Sequence, residues 1–244
     1  MAPMAYSEDL AFVHDAGFGD FARGAAPHLL ALLRRAGIAS GLVVDLGCGS
    51  GIWARALTDA GYDILGVDLS PAMLALARRR DPAARFRRAS ALRTPLPRCR
   101  AVTALGETLG YLFDEEAGRE PLRALFRRIH AALEPGGLLV FDLCVTGRPR
   151  AGTLRAGFRQ GEGWAVGYRV ETDLAARLLT REITTFRRVG RHYRRRFERH
   201  RVRLYPAASV ARQLRQCGFR ARIVRSFGTH ALPAGVRGFV ARKA

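Results

Sequence analysis

The 244 residues are 48% apolar and carry a formal net charge of +20, which suits one α/β domain with an elaboration and a sizeable buried core. No apolar run nears the roughly 18 residues that span a bilayer, and "MAPMAYSEDLAF" lacks the basic and apolar blocks of a signal peptide. In chain order, residues 8–36 read as two helical pieces split near "GFGD". A strand follows at 42–46 and a helix at 52–60. A second strand runs over 63–67, and a helix runs from Pro71 to about Arg80. Ser70 supplies a capping hydroxyl there, and Pro71 takes the first helical position. "ARFRRAS" and "AVTALG" read as strands three and four. Residues 116–133 form an amphipathic helix with Leu122, Leu125, Phe126, Ile129 and Leu133 on one face. "EPGG" ends that helix, and "LLVFDL" is strand five. Strands alternating with helices imply a doubly wound, mostly parallel sheet.

Between Val145 and Tyr205 the pattern changes to period two, in "WAVGYRVET", "LLTREITTFRR" and "HYRRRFERHRVRLY". A structureless loop of that length is unusual inside a compact domain, so antiparallel hairpins are expected. "AASVARQLRQCGF" returns to helix with Gly218 as its stop. "RARIVRSF" and "GFVAR" then complete a seven-stranded sheet. The four cysteines, Cys48, Cys99, Cys144 and Cys217, show no paired spacing. That points to a reducing, cytoplasmic setting and away from a structural zinc site.

Chemistry concentrates in "VVDLGCGSGIWARAL", residues 43–57. In an open α/β sheet, ligands bind beyond the carboxyl ends of the strands. Strand one ends at Asp45, and Gly47, Gly49 and Gly51 allow a tight turn and close approach of a ligand to the backbone. The next helix points its amides into the same space. Strand two ends at Asp68, whose carboxylate can accept two hydrogen bonds from a ribose diol. The glycines therefore make room for a nucleoside-bearing cofactor. Gly49 to Ala54 also satisfies the dinucleotide fingerprint G-x-G-x-x-G/A, which keeps an NAD-dependent dehydrogenase open as an alternative.

The pattern D-x-G-x-G-x-G resembles the first motif of class I S-adenosylmethionine-dependent methyltransferases. "GVDLSPAML" resembles their second motif, "RFRRASALRTPLP" their third, "AVTALGETLGYL" their fourth, and "LEPGGLLVFDL" the turn and strand that come next. The resemblance runs in order from Val43 to Leu143, and the insert is similar to that of the small-molecule branch, including amino-sugar N-methyltransferases. It implies a Rossmann-like methyltransferase fold, S-adenosyl-L-methionine as cofactor and no metal requirement. By resemblance, Asp45 reaches the methionine amino group, and Gly47, Gly49 and Gly51 lie against methionine and ribose. Asp68 binds the ribose hydroxyls, Leu69 and Met73 lie along the adenine, and Leu105 and Gly106 flank the sulfonium. Ser90, followed by Ala91, stands where the third motif usually has Asp to accept from the adenine amino group. The chain then divides into an N-terminal helical lid (1–40), with Tyr6, His14 and Phe18 over the cofactor, and a cofactor-binding core (41–149). An acceptor-facing β insert (150–205) and the last helix and strands (206–244) follow.

Two residues are candidates for catalysis. Glu107 follows Gly106 at the end of strand four, beside the expected methyl site. His200 lies in the insert between Glu198 and Arg203 and is able to act as a base near neutral pH. The expected acceptor is a small molecule, methylated on O or N. Residues 1–77 hold four Arg against eight acids, while nine of the seventeen residues in 187–203 are Arg. That asymmetry suits an anionic acceptor, although a chain with one Lys, Lys243, among 41 basic residues also carries a plain Arg bias. It keeps an RNA methyltransferase as an alternative. A non-catalytic binding protein with the same fold is another. The membrane is not an expected partner, and the sequence sets no oligomeric state.

Overall fold

The computed structural model describes residues 6–113, 122–147 and 155–244. Its centre is a seven-stranded sheet. β1 (Leu42–Leu46) pairs parallel with β2 (Asp63–Asp68) on one side and β4 (Cys99–Ala104) on the other. β3 (Arg85–Arg88) extends the sheet past β2, and β5 (Leu133–Cys144) lies beside β4, both parallel. β13 (Val236–Lys243) pairs antiparallel with β5, and β10 (Phe219–Val224) antiparallel with β13. The order is β10-β13-β5-β4-β1-β2-β3, so the winding direction reverses between β1 and β4. Such a reversal opens a crevice at the carboxyl ends of those strands.

Central strands are apolar on both faces because both faces are covered. One core layer packs α5 (Leu122–Ala132) and α6 (Ala207–Gln216) on the sheet through Phe126, Ile129, Phe141, Leu214 and Phe239. The other packs α2 (Asp20–Arg35) and α3 (Ile52–Asp59) through Leu29, Leu33, Trp53, Leu57 and Val140. α4 (Pro71–Arg80) begins as the sequence indicates: the Ser70 hydroxyl accepts from the Met73 amide, and Pro71 opens the helix.

The insert is a separate four-stranded antiparallel sheet, β6 (Arg155–Gly161), β7 (Trp164–Asp173), β8 (Leu178–Val189) and β9 (His192–Arg203). The Leu112 amide donates to the Arg201 carbonyl (2.9 Å), and Tyr111 bridges to Val202, which fixes the insert against the end of β4. α1 (Glu8–Phe18) lies on the insert's inner face. The Trp164 ring fills the space above Gly17, where a Cβ would collide with it. Buried Asp9 accepts from Arg194 through both carboxylate oxygens, with Arg187 at 3.4 Å and Arg196 at 3.8 Å. These guanidinium bonds, Arg194 first, hold the Asp9 carboxyl below its ordinary range. Part of the Arg run therefore serves to seat α1.

Two boundaries differ from the sequence reading. The expected helix over 116–133 is described from Leu122, and residues 116–121 of that expectation lie outside the described residues. β5 starts at Leu133, so "EPGG" belongs to the strand, where the register with β4 shifts. "RARIVRSF" breaks after Val224, and β11 (Ser226–Phe227) pairs with β12 (His230–Ala231), which lets Phe227 bury in the α2 layer. Among the described residues, no helix is long and apolar enough to cross a membrane.

Candidate active site

The loop after β1 carries positive φ at Gly47, Gly49 and Gly51, a region that costs L side chains energy. The three glycines meet different surroundings. A Cβ on Gly47 would collide with Thr108, so this glycine lets the loop close on the 3₁₀ turn Thr108–Gly110. A Cβ on Gly51 would stand 3.0 Å from Ala77, so this glycine lets α3 approach α4. A Cβ on Gly49 would meet no protein atom within 4 Å, and the same holds for Gly106, at φ +75°. Gly49 and Gly106 both line the crevice, whereas Gly51 does not. Gly51, expected at the cofactor, is not among the residues that line the two lobes, and it packs α3 against α4.

The crevice has two lobes that share Tyr6, His14, Gly47, Gly49, Leu105, Gly106 and Tyr111. The first, about 140 Å³, is lined by Asp68, Leu69, Met73, Ser90, Ala91 and Leu92. The Asp68 carboxylate accepts from the Gly49 amide (2.9 Å) through one oxygen and from the Ser70 amide (2.8 Å) through the other. A carboxylate has about four lone-pair directions, so acceptor capacity remains for a diol. Ser90 Oγ accepts from the Leu92 amide (3.2 Å) and keeps its own proton to donate. The sequence-predicted ribose and adenine residues Asp68, Leu69, Met73, Ser90 and Ala91 thus meet in one lobe, and Leu105 and Gly106, expected to flank the sulfonium, line both lobes. The polar ends, the apolar wall of Leu69 and Met73, and a backbone cradle at Gly49 and Gly106 fit an adenosine.

The second lobe, about 300 Å³, is acidic. Asp45, Glu107 and Asp142 line it, and Arg181 is the one arginine among its described lining residues. Asp45 is buried at the end of β1 and accepts from the Thr103 hydroxyl (2.7 Å), which in turn accepts from the Trp53 indole (3.1 Å). Burial is the main cause that pushes its carboxyl up to about 7, and the charge of Asp68 adds to it. Asp142 accepts from the Gly106 and Glu107 amides, both at 2.8 Å. Burial, then the charge of Glu107, push it to about 7 as well. Glu107 sits at φ +65° and takes Arg181 at 2.5 Å; Arg181 also donates to the Tyr111 hydroxyl (2.8 Å). Asp142, Arg181 and Tyr111 are absent from the sequence reading. Asp142 had a signal, a lone acid inside the apolar strand "LLVFDL". Arg181 had none, since nothing marks one arginine among so many.

The entrance is aromatic. Tyr6, His14 and Phe18, expected over the cofactor, line the second lobe. Burial drives the His14 imidazole down to about 4, so it is neutral at physiological pH. Burial also raises the phenols of Tyr6 and Tyr111, which keeps them protonated. His200 is buried but lines neither lobe; the rings of Tyr6 (5.0 Å), Phe113 (4.8 Å) and Tyr111 (5.9 Å) surround it. Glu107 reaches the crevice directly, and His200 stands one ring behind it.

Fold and crevice define a doubly wound α/β protein with an adenosine-shaped lobe opening into an acidic chamber at the switch point of its sheet. A methyltransferase-domain family model matches residues 43–137. The chain is 34% identical over 163 residues to a dTDP-3-amino-3,6-dideoxy-alpha-D-glucopyranose N,N-dimethyltransferase of Streptomyces fradiae, a match covering 62% of each chain. It therefore spans less than two thirds of that relative's length. Among solved structures, DesVI of Streptomyces venezuelae superposes with a TM-score of 0.78 at 24% identity, over 98% of this chain and 100% of that one. CalS10 of Micromonospora echinaspora, an amino pentose methyltransferase solved with S-adenosylmethionine, superposes at 0.75 and 21% identity over 100% of both chains. Residues 43–137 thus match the methyltransferase-domain family model, and the chain as a whole has the fold of these solved structures, an S-adenosylmethionine-bound methyltransferase among them.

Proposed function

We propose that this protein is an S-adenosylmethionine-dependent methyltransferase whose acceptor is the amine of a small molecule. The observation that carries the reading is the junction of the two lobes. Gly49 and Gly106 leave backbone-lined space there, with Asp68 on one side and Asp45, Glu107 and Asp142 on the other. Asp68 would hold the ribose hydroxyls, Leu69 and Met73 the adenine, Ser90 its polar edge, and Asp45 the amino-acid end of the cofactor. When bound, S-adenosylmethionine supplies a methyl group on a cationic sulfonium.

The charge of the second lobe supports an amine. Its one described arginine, Arg181, is already paired with Glu107, so Asp45 and Asp142 leave a surplus of carboxylate. In a water-poor chamber such carboxylates favour positive charge, and a neutral amine becomes a cation as it takes a methyl group. Glu107 and Asp142 would stabilise that nitrogen, while Tyr6, His14 and Tyr111 exclude water and orient the acceptor. The anionic acceptor suggested by the Arg run draws no support here, because Arg187, Arg194 and Arg196 reach Asp9 rather than the crevice. The amino-sugar substrate in the name of the Streptomyces fradiae relative agrees with an amine.

Calorimetric titration with S-adenosylmethionine and, separately, NAD tests the cofactor half of the reading: S-adenosylmethionine binds and NAD does not. Methyl turnover on a small-molecule fraction of cell extract, with none on RNA, tests the acceptor half. Tight NAD binding, or label confined to RNA, would overturn it.

A further inference from the structure

Tyr6 and Ser7, just ahead of α1, join the two halves of the crevice. On one side, the Tyr6 carbonyl accepts from the Ser70 hydroxyl (2.8 Å), and the Ser70 amide donates to Asp68 (2.8 Å) in the adenosine lobe. On the other, Ser7 donates through its amide (3.0 Å) and its hydroxyl (2.5 Å) to a single oxygen of Glu198 on β9. The second oxygen of Glu198 meets His200 Nε2 at 2.9 Å. Tyr6 sits at φ +44°, a conformation that a non-glycine residue holds only when its surroundings enforce it. The clasps on either side of it, Ser70 and Glu198, supply that enforcement.

The chemistry of the contacts fixes the ring as well. An ionised carboxylate only accepts, so Nε2 is the donor, and in the neutral ring Nδ1 is left as the bare acceptor. Nδ1 is buried and has no hydrogen-bond partner among the described residues. It lies within the ring cluster of Tyr6, Tyr111 and Phe113, and these same three rings line the adenosine lobe. A buried unpaired nitrogen is unfavourable, and its setting depends on Glu198.

We propose that Glu198 is a positioning residue that couples closure of α1 over the cofactor to the setting of the insert, holding Ser7 with one oxygen and His200 with the other. This rests on the reading that the crevice takes S-adenosylmethionine. Filling the adenosine lobe steadies Asp68 and Ser70. Ser70 steadies Tyr6, and Ser7 passes the constraint through Glu198 to β9. By reciprocity, an ordered insert tightens the cofactor. Asp9 clasps the insert independently, so loss of the Ser7–Glu198 link leaves α1 seated but uncoupled.

The test is hydrogen exchange of the β8–β9 amides, residues 178–203, with and without S-adenosylhomocysteine, in wild type, Ser7→Ala and Glu198→Gln. In wild type the ligand slows exchange around Glu198–Arg203. In Ser7→Ala, which removes the hydroxyl bond to Glu198 and leaves the amide bond, this ligand-induced protection is reduced, while affinity for S-adenosylhomocysteine falls by about threefold to tenfold, as expected for one hydrogen bond. In Glu198→Gln, which keeps one neutral acceptor and loses the carboxylate, the protection is reduced too, affinity for S-adenosylhomocysteine falls by a similar factor, and kcat for methyl transfer falls at least about tenfold. A residue needed only for folding would instead lower stability and leave the coupling in the folded fraction intact. Ligand-induced protection of β9 that persists undiminished in both variants overturns the proposal, as does its absence from wild type that binds the ligand. Failure of S-adenosylhomocysteine to bind wild type overturns the cofactor reading itself.

Discussion

Replacing Gly49 and Gly51 in turn by Ala separates ligand space from packing space. Both positions have positive φ, +53° and +78°, so an L residue costs each about 1–2 kcal/mol. In a chain of this size that lowers Tm by roughly 2–8 °C. The two then diverge. A Cβ at Gly51 stands 3.0 Å from the Ala77 backbone, inside the usual carbon–carbon separation of about 3.5–4.0 Å, so α3 and α4 must part and Gly51→Ala is the less stable variant. A Cβ at Gly49 meets no protein atom within 4 Å, so its stability loss stops at the backbone term. Its methyl group instead enters the space reserved for the cofactor. Gly49→Ala should weaken S-adenosylmethionine at least about tenfold, or 1.4 kcal/mol, while folded Gly51→Ala binds within about threefold of wild type. Scanning calorimetry and isothermal titration on the same preparations give both numbers. Wild-type affinity in Gly49→Ala would refute the placement of the cofactor against this backbone.

Asp68→Ala should weaken S-adenosylmethionine by about tenfold or more, since each hydrogen bond to a charged group is worth about 1.5–3 kcal/mol. It should also lower Tm, because the Gly49 and Ser70 amides lose their acceptor; titration and thermal scans that both match wild type would contradict this. Cofactor affinity should rise with pH through neutrality. Asp45 and Asp142 titrate near 7 when the crevice lacks a cation, and an ammonium or sulfonium stabilises their ionised form and lowers that value. Binding is therefore tightest above pH 7 and weakens as pH falls below it, by up to about tenfold per unit for one linked proton. Neutral His14 and the paired Arg181 do not reverse this sign, and a pH-independent Kd between 5.5 and 8 would. Arg181→Met should destabilise more than the double variant Arg181→Met/Glu107→Gln, because the single change removes the cation paired with the Glu107 carboxylate and leaves its charge in the chamber. A thermodynamic cycle from urea unfolding should give a coupling of about 1–3 kcal/mol, and additive losses would mean the pair is solvent-screened.

The sequence showed most where local pattern and tertiary role agree. β1 and α4 fall at the expected residues because Val43, Val44 and Leu46 form an apolar run bounded by turn signals, and Ser70-Pro71 is a self-contained helix start. The adenosine lobe was legible for the same reason: Asp68 and the glycine loop are close in sequence and joined by one crossover. The acidic chamber was not. It assembles Asp142 from β5, Glu107 from the turn after β4 and Arg181 from the insert, and these meet only once the sheet order is set. Composition alone also did not separate structural from ligand-facing charge. Nine arginines in 187–203 suggested an anionic ligand, yet three from that stretch, Arg187, Arg194 and Arg196, reach one buried aspartate in α1. Gly51 matched the ligand-loop motif but answers to Ala77, a contact that only the packed helices reveal.

The central claim is transfer of a methyl group to an amine in the acidic lobe. The most direct measurement incubates the protein with methyl-labelled S-adenosylmethionine and matched pairs of amino sugars and their hydroxyl isosteres, free and as sugar nucleotides, followed by mass spectrometry of the products. Label is expected on the nitrogen of at least one amino compound and none on its hydroxyl partner, with turnover lost in Asp68→Ala. Label on the hydroxyl partner, or no transfer to any amine by protein that binds S-adenosylmethionine, would contradict the claim.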